Sequence, residues 1–232
     1  MISTFEHELA RRGAAPLGIP TISRRLSILT QREIDDLYGL PRFTEEDRQL
    51  YFDLSAAEEA RVRAMHTASA KAHFVLQLGY FKAKRQFFSY PYHAVQEDLR
   101  YILGRHFPGR APATINQLSK PTRLEQQQII LNLFNYTRCG KAAKQDLEHK
   151  ARRIAMRSTQ PIYILREVLQ YLATRRIVAP GYTVLQDLVS RAVTRGRNRI
   201  THLLGQAITP DLEKHLQALL ESDEGPITEN PY

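Results

Sequence analysis

The stretch Lys71 to Pro91, KAHFVLQLGYFKAKRQFFSYP, decides how the rest of the chain is read. It joins the densest apolar and aromatic run to a tight cluster of Lys and Arg. Extended back to Ser55 as one helix, it sets Val62, Met65, Ser69, Ala72, Leu76, Gly79 and Ala83 at alternating three- and four-residue steps, which is one helical face. Most of these residues are small, so neighbouring backbones can approach closely. The expectation is a central helix packed on more than one side. Lys71 and Lys82 project from nearly the same side, and Lys84 and Arg85 join them where the helix ends.

On the amino-terminal side, Met1 to Ser23 mixes Gly, Pro and charge without period and reads as a flexible arm over residues 1–23. Thr30 with Glu33 forms a capping-box pair ahead of Ile34 and Leu37, and Gly39 to Pro41 stops that helix. A short helix is expected from Thr44 to Phe52, and Ser55 with Glu58 is a further capping box that opens the central helix. Beyond Pro91, Val95, Leu99, Ile102 and Leu103 mark a helix ending near Gly104. Thr114 to Leu118 reads as a short helical piece, and Thr122 with Glu125 caps a helix carrying Leu124, Ile129, Leu131 and Phe134.

Gly140 reads as the boundary between two helical bundles, 24–139 and 140–232. In the second, Ala143, Leu147, Ala151 and Ile154 form an apolar stripe, while Lys150, Arg153 and Arg157 follow another face. Pro161 starts a helix that ends at Arg175-Arg176. Thr183 with Gln186 predicts a capping box for a helix to about Arg195, which Gly196 interrupts. Thr209-Pro210 opens an acidic terminal helix with Leu212, Leu216 and Leu219. No stretch sustains period-two alternation, so the fold class is all-α.

The 232 residues carry a net charge of +9, and it is unevenly placed. Lys141 to Gly205 holds 13 Lys and Arg against 4 Asp and Glu, whereas Gln206 to Tyr232 holds 1 basic and 6 acidic residues. A focused positive field is the electrostatic footprint of a polyanion partner, most often nucleic acid. A solvated set of helix faces produces the same count, so charge alone leaves the two even. One cysteine, Cys139, leaves no internal disulfide and fits a reducing compartment. The first twenty residues carry charge and no long apolar run, so neither a signal peptide nor a membrane span is expected, and the default is a cytoplasmic, nucleoid-associated protein.

The helix from Thr183 to Arg195 is the recognition candidate. Its apolar side is Leu185, Leu188, Val189 and Ala192, and its other side presents Gln186, Ser190, Arg191, Thr194 and Arg195, side chains that suit base edges and phosphates. With the helix from Pro161 it resembles a helix-turn-helix, though the turn from Ile177 to Tyr182 is longer than usual. The predicted DNA contacts are Lys71, Lys82, Lys84, Arg85 and Arg123 in the first bundle. In the second they are phosphate-binding Lys141, Lys144, Lys150, Arg152, Arg153 and Arg157, with Arg175, Arg176, Gln186, Ser190, Arg191, Thr194, Arg195, Arg197 and Arg199 supporting a major-groove element. The aromatic run Phe81 to Tyr92 could instead stack on unpaired bases, although burial is the commoner fate of Phe. Catalytic and metal motifs are absent. The eight His are scattered, without HExxH, and there is neither GxxxxGK[ST] nor GxGxxG. His202 is followed by Leu-Leu-Gly205, which breaks the His-x-x-Arg a tyrosine recombinase requires.

Four segments, LSILTQREIDDLYGLP from Leu26, AKAHFVLQLGYF from Ala70, KPTRLEQQQIILNLF from Lys120 and LATRRIVAPGYTVLQDLVSRAV from Leu172, together resemble the amino-terminal region of the Tn-three family of replicative bacterial transposases. The resemblance covers Ile22 to about Glu224. It departs at His73, where the family usually has Gly, and at Leu124, where a second Arg is common. It implies binding of transposon terminal inverted repeats as double-stranded DNA, with a homodimer open for the full-length protein. In that family strand cutting belongs to a carboxy-terminal domain with an Asp-Asp-Glu triad and magnesium. The expectation for this chain is therefore a DNA-binding fragment or truncated product with no catalytic residues, metal or cofactor of its own. A helical oligomerisation module and a single-stranded nucleic-acid binder are the alternatives.

Overall fold

The computed structural model describes residues 26–111 and 115–222. The arm expected over residues 1–23 lies outside them, as does Thr114. The described residues form α1 (Gln31–Tyr38), α2 (Glu45–Phe52), α3 (Ala56–Arg63), α4 (Ala68–Lys84), a 3-10 turn (Tyr92–Val95), α5 (Gln96–His106), α6 (Lys120–Phe134), α7 (Lys141–Ala155), α8 (Pro161–Thr174), α9 (Tyr182–Ala207) and α10 (Pro210–Ser222). The all-α class holds, and the buried apolar residues fall into two clusters.

The first core is built around α4, in which every residue from Ala72 to Phe81 is buried. A helix enclosed on all sides cannot keep a polar face, and this one has almost none. Its two enclosed polar side chains are both partnered. His73 Nε2 pairs with the Asn116 carbonyl at 3.1 Å, and the Gln77 amide donates to Gln126 Oε1 at 2.7 Å while accepting from Gln127. Helices α2, α3, α5 and α6 surround it. The small residues do what their spacing implies. Gly79 lies under the Phe52 ring, and Phe43, Phe52 and Tyr80 form a ring cluster with centroids 5.4 to 6.2 Å apart.

Capping chemistry sets most helix starts. The boxes Thr30/Glu33 and Ser55/Glu58 form as expected, and Thr44/Asp47 adds a third. Two helix starts differ from expectation. The helix expected to run unbroken from Ser55 is divided, because Thr67 caps a second start by accepting from the Ala70 amide at 3.1 Å. α6 begins at Ser119 instead of Thr122, since Pro121 fits the first turn, where its missing N–H costs nothing. The predicted short helix over Thr114 to Leu118 does not form over its described part. Residues 115–118 are irregular, with Ile115 buried in the first core. α5 runs through Gly104 to His106.

The second core joins α7, α8 and α9 pairwise. Two expectations for α9 fail. Gly181 is the N-cap and no side chain caps it, so the Thr183/Gln186 box is absent. The helix also passes straight through Gly196. A side chain there would lie 3.1 Å from the Ala155 carbonyl and 3.2 Å from Thr159 Cγ2, so the glycine serves close helix packing and does not end the helix.

The cores do not divide the chain at Gly140 alone. Leu29 is buried in the second core, with Leu26, Ile28, Ile34 and Tyr38 packed against it. The Tyr182 hydroxyl accepts from the Leu29 amide at 3.2 Å, and Tyr38 donates to the Pro180 carbonyl at 3.2 Å. Burial, with Tyr182 adjacent, pushes the Tyr38 phenol up to about 12, so it remains a donor throughout the physiological range. A second tie is the parallel bridge of Thr137 with Ile177, with N–H···O distances of 2.9 Å to Arg176 and from Val178.

Burial also holds His73 and His106 below their ordinary value of 6.5, although each pairs with a backbone carbonyl. Below that value the unfolded chain takes up protons the folded chain resists, so stability present at neutral pH is lost as pH falls through 6.5. Melting temperature should fall between pH 7.5 and 5.5. A His73→Gln/His106→Gln variant should show a shallower dependence over that range, and an equally steep one would assign the effect to other groups.

Candidate nucleic-acid interface

The predicted contacts separate into those held by internal partners and those left free. In the first bundle, Lys82 is an internal residue. Its Nζ bonds Glu58 Oε2 at 2.9 Å and the Asp53 carbonyl at 2.6 Å, and both charged side chains are largely buried. Lys84 caps the carboxyl end of α1 through the Asp36 carbonyl. Arg85 takes a left-handed backbone as the C-cap of α4, and its guanidinium lies 5.2 Å from the Phe134 centroid and 5.8 Å from that of Phe81. Arg138, which sequence reading did not single out, lies over Phe87 at 5.6 Å and donates to Gln127. Cations on ring faces account for this basic-aromatic run without single-stranded nucleic acid. Phe81 itself is fully buried. Lys71 and Arg123 are half-buried, and their side chains form no hydrogen bond or ion pair among the described residues.

The face of α9 nominated for reading bases is largely occupied. Gln186 donates to the Leu26 carbonyl at 3.0 Å, Arg191 pairs with Glu148 Oε1 at 3.1 Å, and Thr194 bonds its own helix at the Ser190 carbonyl. The Ser190 hydroxyl is enclosed without a partner. Helical periodicity identifies that face correctly. It contains no signal that the segment 26–29, more than 150 positions away, lies along it. Arg175 and Lys150 both lie over Tyr171, at 5.6 and 5.8 Å, and Arg176, at a positive φ, donates to the Phe134 carbonyl.

The cations that remain are Lys141, Lys144, Arg153 and Arg157 on and after α7, and Arg195, Arg197 and Arg199 on the distal half of α9. All are exposed and have no carboxylate partner among the described residues, whereas Arg152 pairs weakly with Glu148 at 3.9 Å. Gly196 seats α9 against the end of α7 at Ala155. Exposed guanidinium groups without a carboxylate partner are suited to a polyanion, because such groups fork onto phosphate oxygens. Among the described residues no group of His, Cys, Asp or Glu has metal-holding geometry, and no helix is long and apolar enough to cross a membrane.

The fold and these side chains together define an all-helical protein with exposed cations on and after α7 and on the distal half of α9. Residues 28–192 match the family described as Domain of unknown function (DUF4158), and the chain belongs to that family. No curated protein matches the chain.

Proposed function

We propose that the chain binds double-stranded DNA through the rim formed by α7 and the distal half of α9, as the end-recognition part of a transposase acting on terminal inverted repeats. The observation that carries this reading is that Lys141, Lys144, Arg153, Arg157, Arg195, Arg197 and Arg199 are all exposed and have no carboxylate partner among the described residues. Membership of DUF4158 adds support, since that family is in general associated with Tn-three-type transposases. Strand transfer is not assigned to this chain, nor is magnesium. Magnesium-dependent nicking of a transposon end by the purified protein would refute that.

The test is binding to a labelled duplex carrying the element's terminal repeat, against a scrambled duplex of equal length, over a salt series. Preference for the repeat by roughly tenfold or more is expected. Changing Arg153, Arg157 and Arg195 together to Ala should lower the slope of log K against log salt by about 0.9 for each lost phosphate contact. The melting temperature should stay unchanged, because these side chains are exposed. An unchanged slope would remove the rim from the interface.

One observation favours a second reading, a helical association module. Ile200, Leu203, Leu204 and Ile208 at the end of α9, and Leu212, Leu216 and Leu219 on α10, are each more than a third exposed. Gel filtration without DNA at low and high salt separates the readings, since a second copy joined through this stripe would persist at high salt.

A further inference from the structure

A cavity of about 60 Å3 opens beside α4, lined by His73, Gln77, Tyr90 and Arg123 among others, with no Asp or Glu among its described lining residues. That volume holds about five water-sized atoms, the size of a phosphate group and far less than a nucleotide. His73 and Gln77 are already committed to Asn116, Gln126 and Gln127. Two of the other lining groups, the Arg123 guanidinium and the Tyr90 hydroxyl, have no hydrogen-bond partner among the described residues, and the charge of Arg123 bears directly on the Tyr90 phenol. Arg123 sits in the first turn of α6, where no acidic residue offsets it and where the helix dipole disfavours a cation but favours an anion.

We propose that this cavity is an oxyanion pocket that takes one phosphate group, with Arg123 supplying the charge and Tyr90 a neutral O–H donor. Half-buried and without a partner among the described residues, the Tyr90 hydroxyl is free to donate to an entering phosphate oxygen. The pocket stands apart from the α7–α9 rim. Only the source of the phosphate, a DNA backbone or a free phosphate-bearing molecule, depends on the DNA-binding reading.

The experiment uses the full chain with 15N-labelled arginine and follows the side-chain N–H signals during titration with inorganic phosphate. Arg123→Lys identifies the Arg123 signal by its loss. That signal should shift saturably, and Tyr90→Phe, which keeps the ring packed against Tyr80, should weaken binding roughly threefold to tenfold at an unchanged melting temperature. An Arg123 signal unmoved by tens of millimolar phosphate, or binding indifferent to Tyr90→Phe, would overturn the pocket. Repeating the titration with the terminal-repeat duplex bound distinguishes the sources. Loss of phosphate binding identifies a DNA phosphate as the occupant, and undiminished binding identifies a free phosphate-bearing molecule. A duplex that fails to bind at all would sink the proposed function and leave the pocket result intact.

Discussion

Replacing Gly79 with alanine is expected to cost about 2 kcal/mol or more of stability, even though alanine is the better helix former by about 1 kcal/mol. The added Cβ would lie 2.4 Å from both Cδ1 and Cε1 of Phe52 and 3.2 Å from the Tyr51 carbonyl oxygen. The ring cannot swing aside. Phe52 is fully buried and is held edge-on by Phe43 at 5.4 Å, with Tyr80 and Tyr101 at 6.2 and 6.1 Å. The strain must therefore be relieved by separating α2 from α4, which opens the first core. Urea denaturation reads the effect, and a midpoint at or above that of the unaltered chain would show that α4 is not wedged at this point. Adding Phe52→Leu to Gly79→Ala should recover part of the loss, because the two changes share one contact and cannot be additive.

Asp98→Ala should be at least as damaging, at about 3–5 kcal/mol. Asp98 is buried on α5, where one carboxylate oxygen accepts from the Tyr80 hydroxyl at 2.6 Å and the other from Arg48 Nε at 2.8 Å. Removing the carboxylate leaves a buried phenol without an acceptor. It also leaves a guanidinium that is only 16% exposed to the exposed Glu97, at 2.9 Å, and to a longer contact with Glu45. Asp98→Asn should cost less, because the amide oxygen still accepts one of the two bonds. A cycle with Tyr80→Phe and Arg48→Met would apportion the network. If Asp98→Ala were tolerated within about 1 kcal/mol, the triad would be incidental to folding.

The basic surface was legible only in part. Counting charge located the excess between Lys141 and Gly205, and the surviving rim lies there. Which cations are free was not legible. Lys82, Arg85, Arg176 and Arg191 look the same in sequence as Arg153 and Arg197, yet each has an internal partner. An ion pair or a ring contact needs a second residue, which the fold supplies from a distant position. Gln186 is the plainest case. Its helical face was read correctly, but its carbonyl partner at Leu26 comes from the other end of the chain.

By itself the sequence determined the all-α class, because apolar residues recur at helical spacing throughout and local capping chemistry starts the helices at Thr30 and Ser55 and ends them at sites such as Gly39. It also determined that α4 is enclosed, since a run from Ala72 to Phe81 with almost no polar residue has no face to give to water. Tertiary structure alone carried α9 through Gly196 and sent the segment 26–38 onto the second core. The physical reason is range. Spacing and capping are set within a turn or two of chain, whereas burial, charge pairing and close backbone approach depend on residues that only the folded chain brings together.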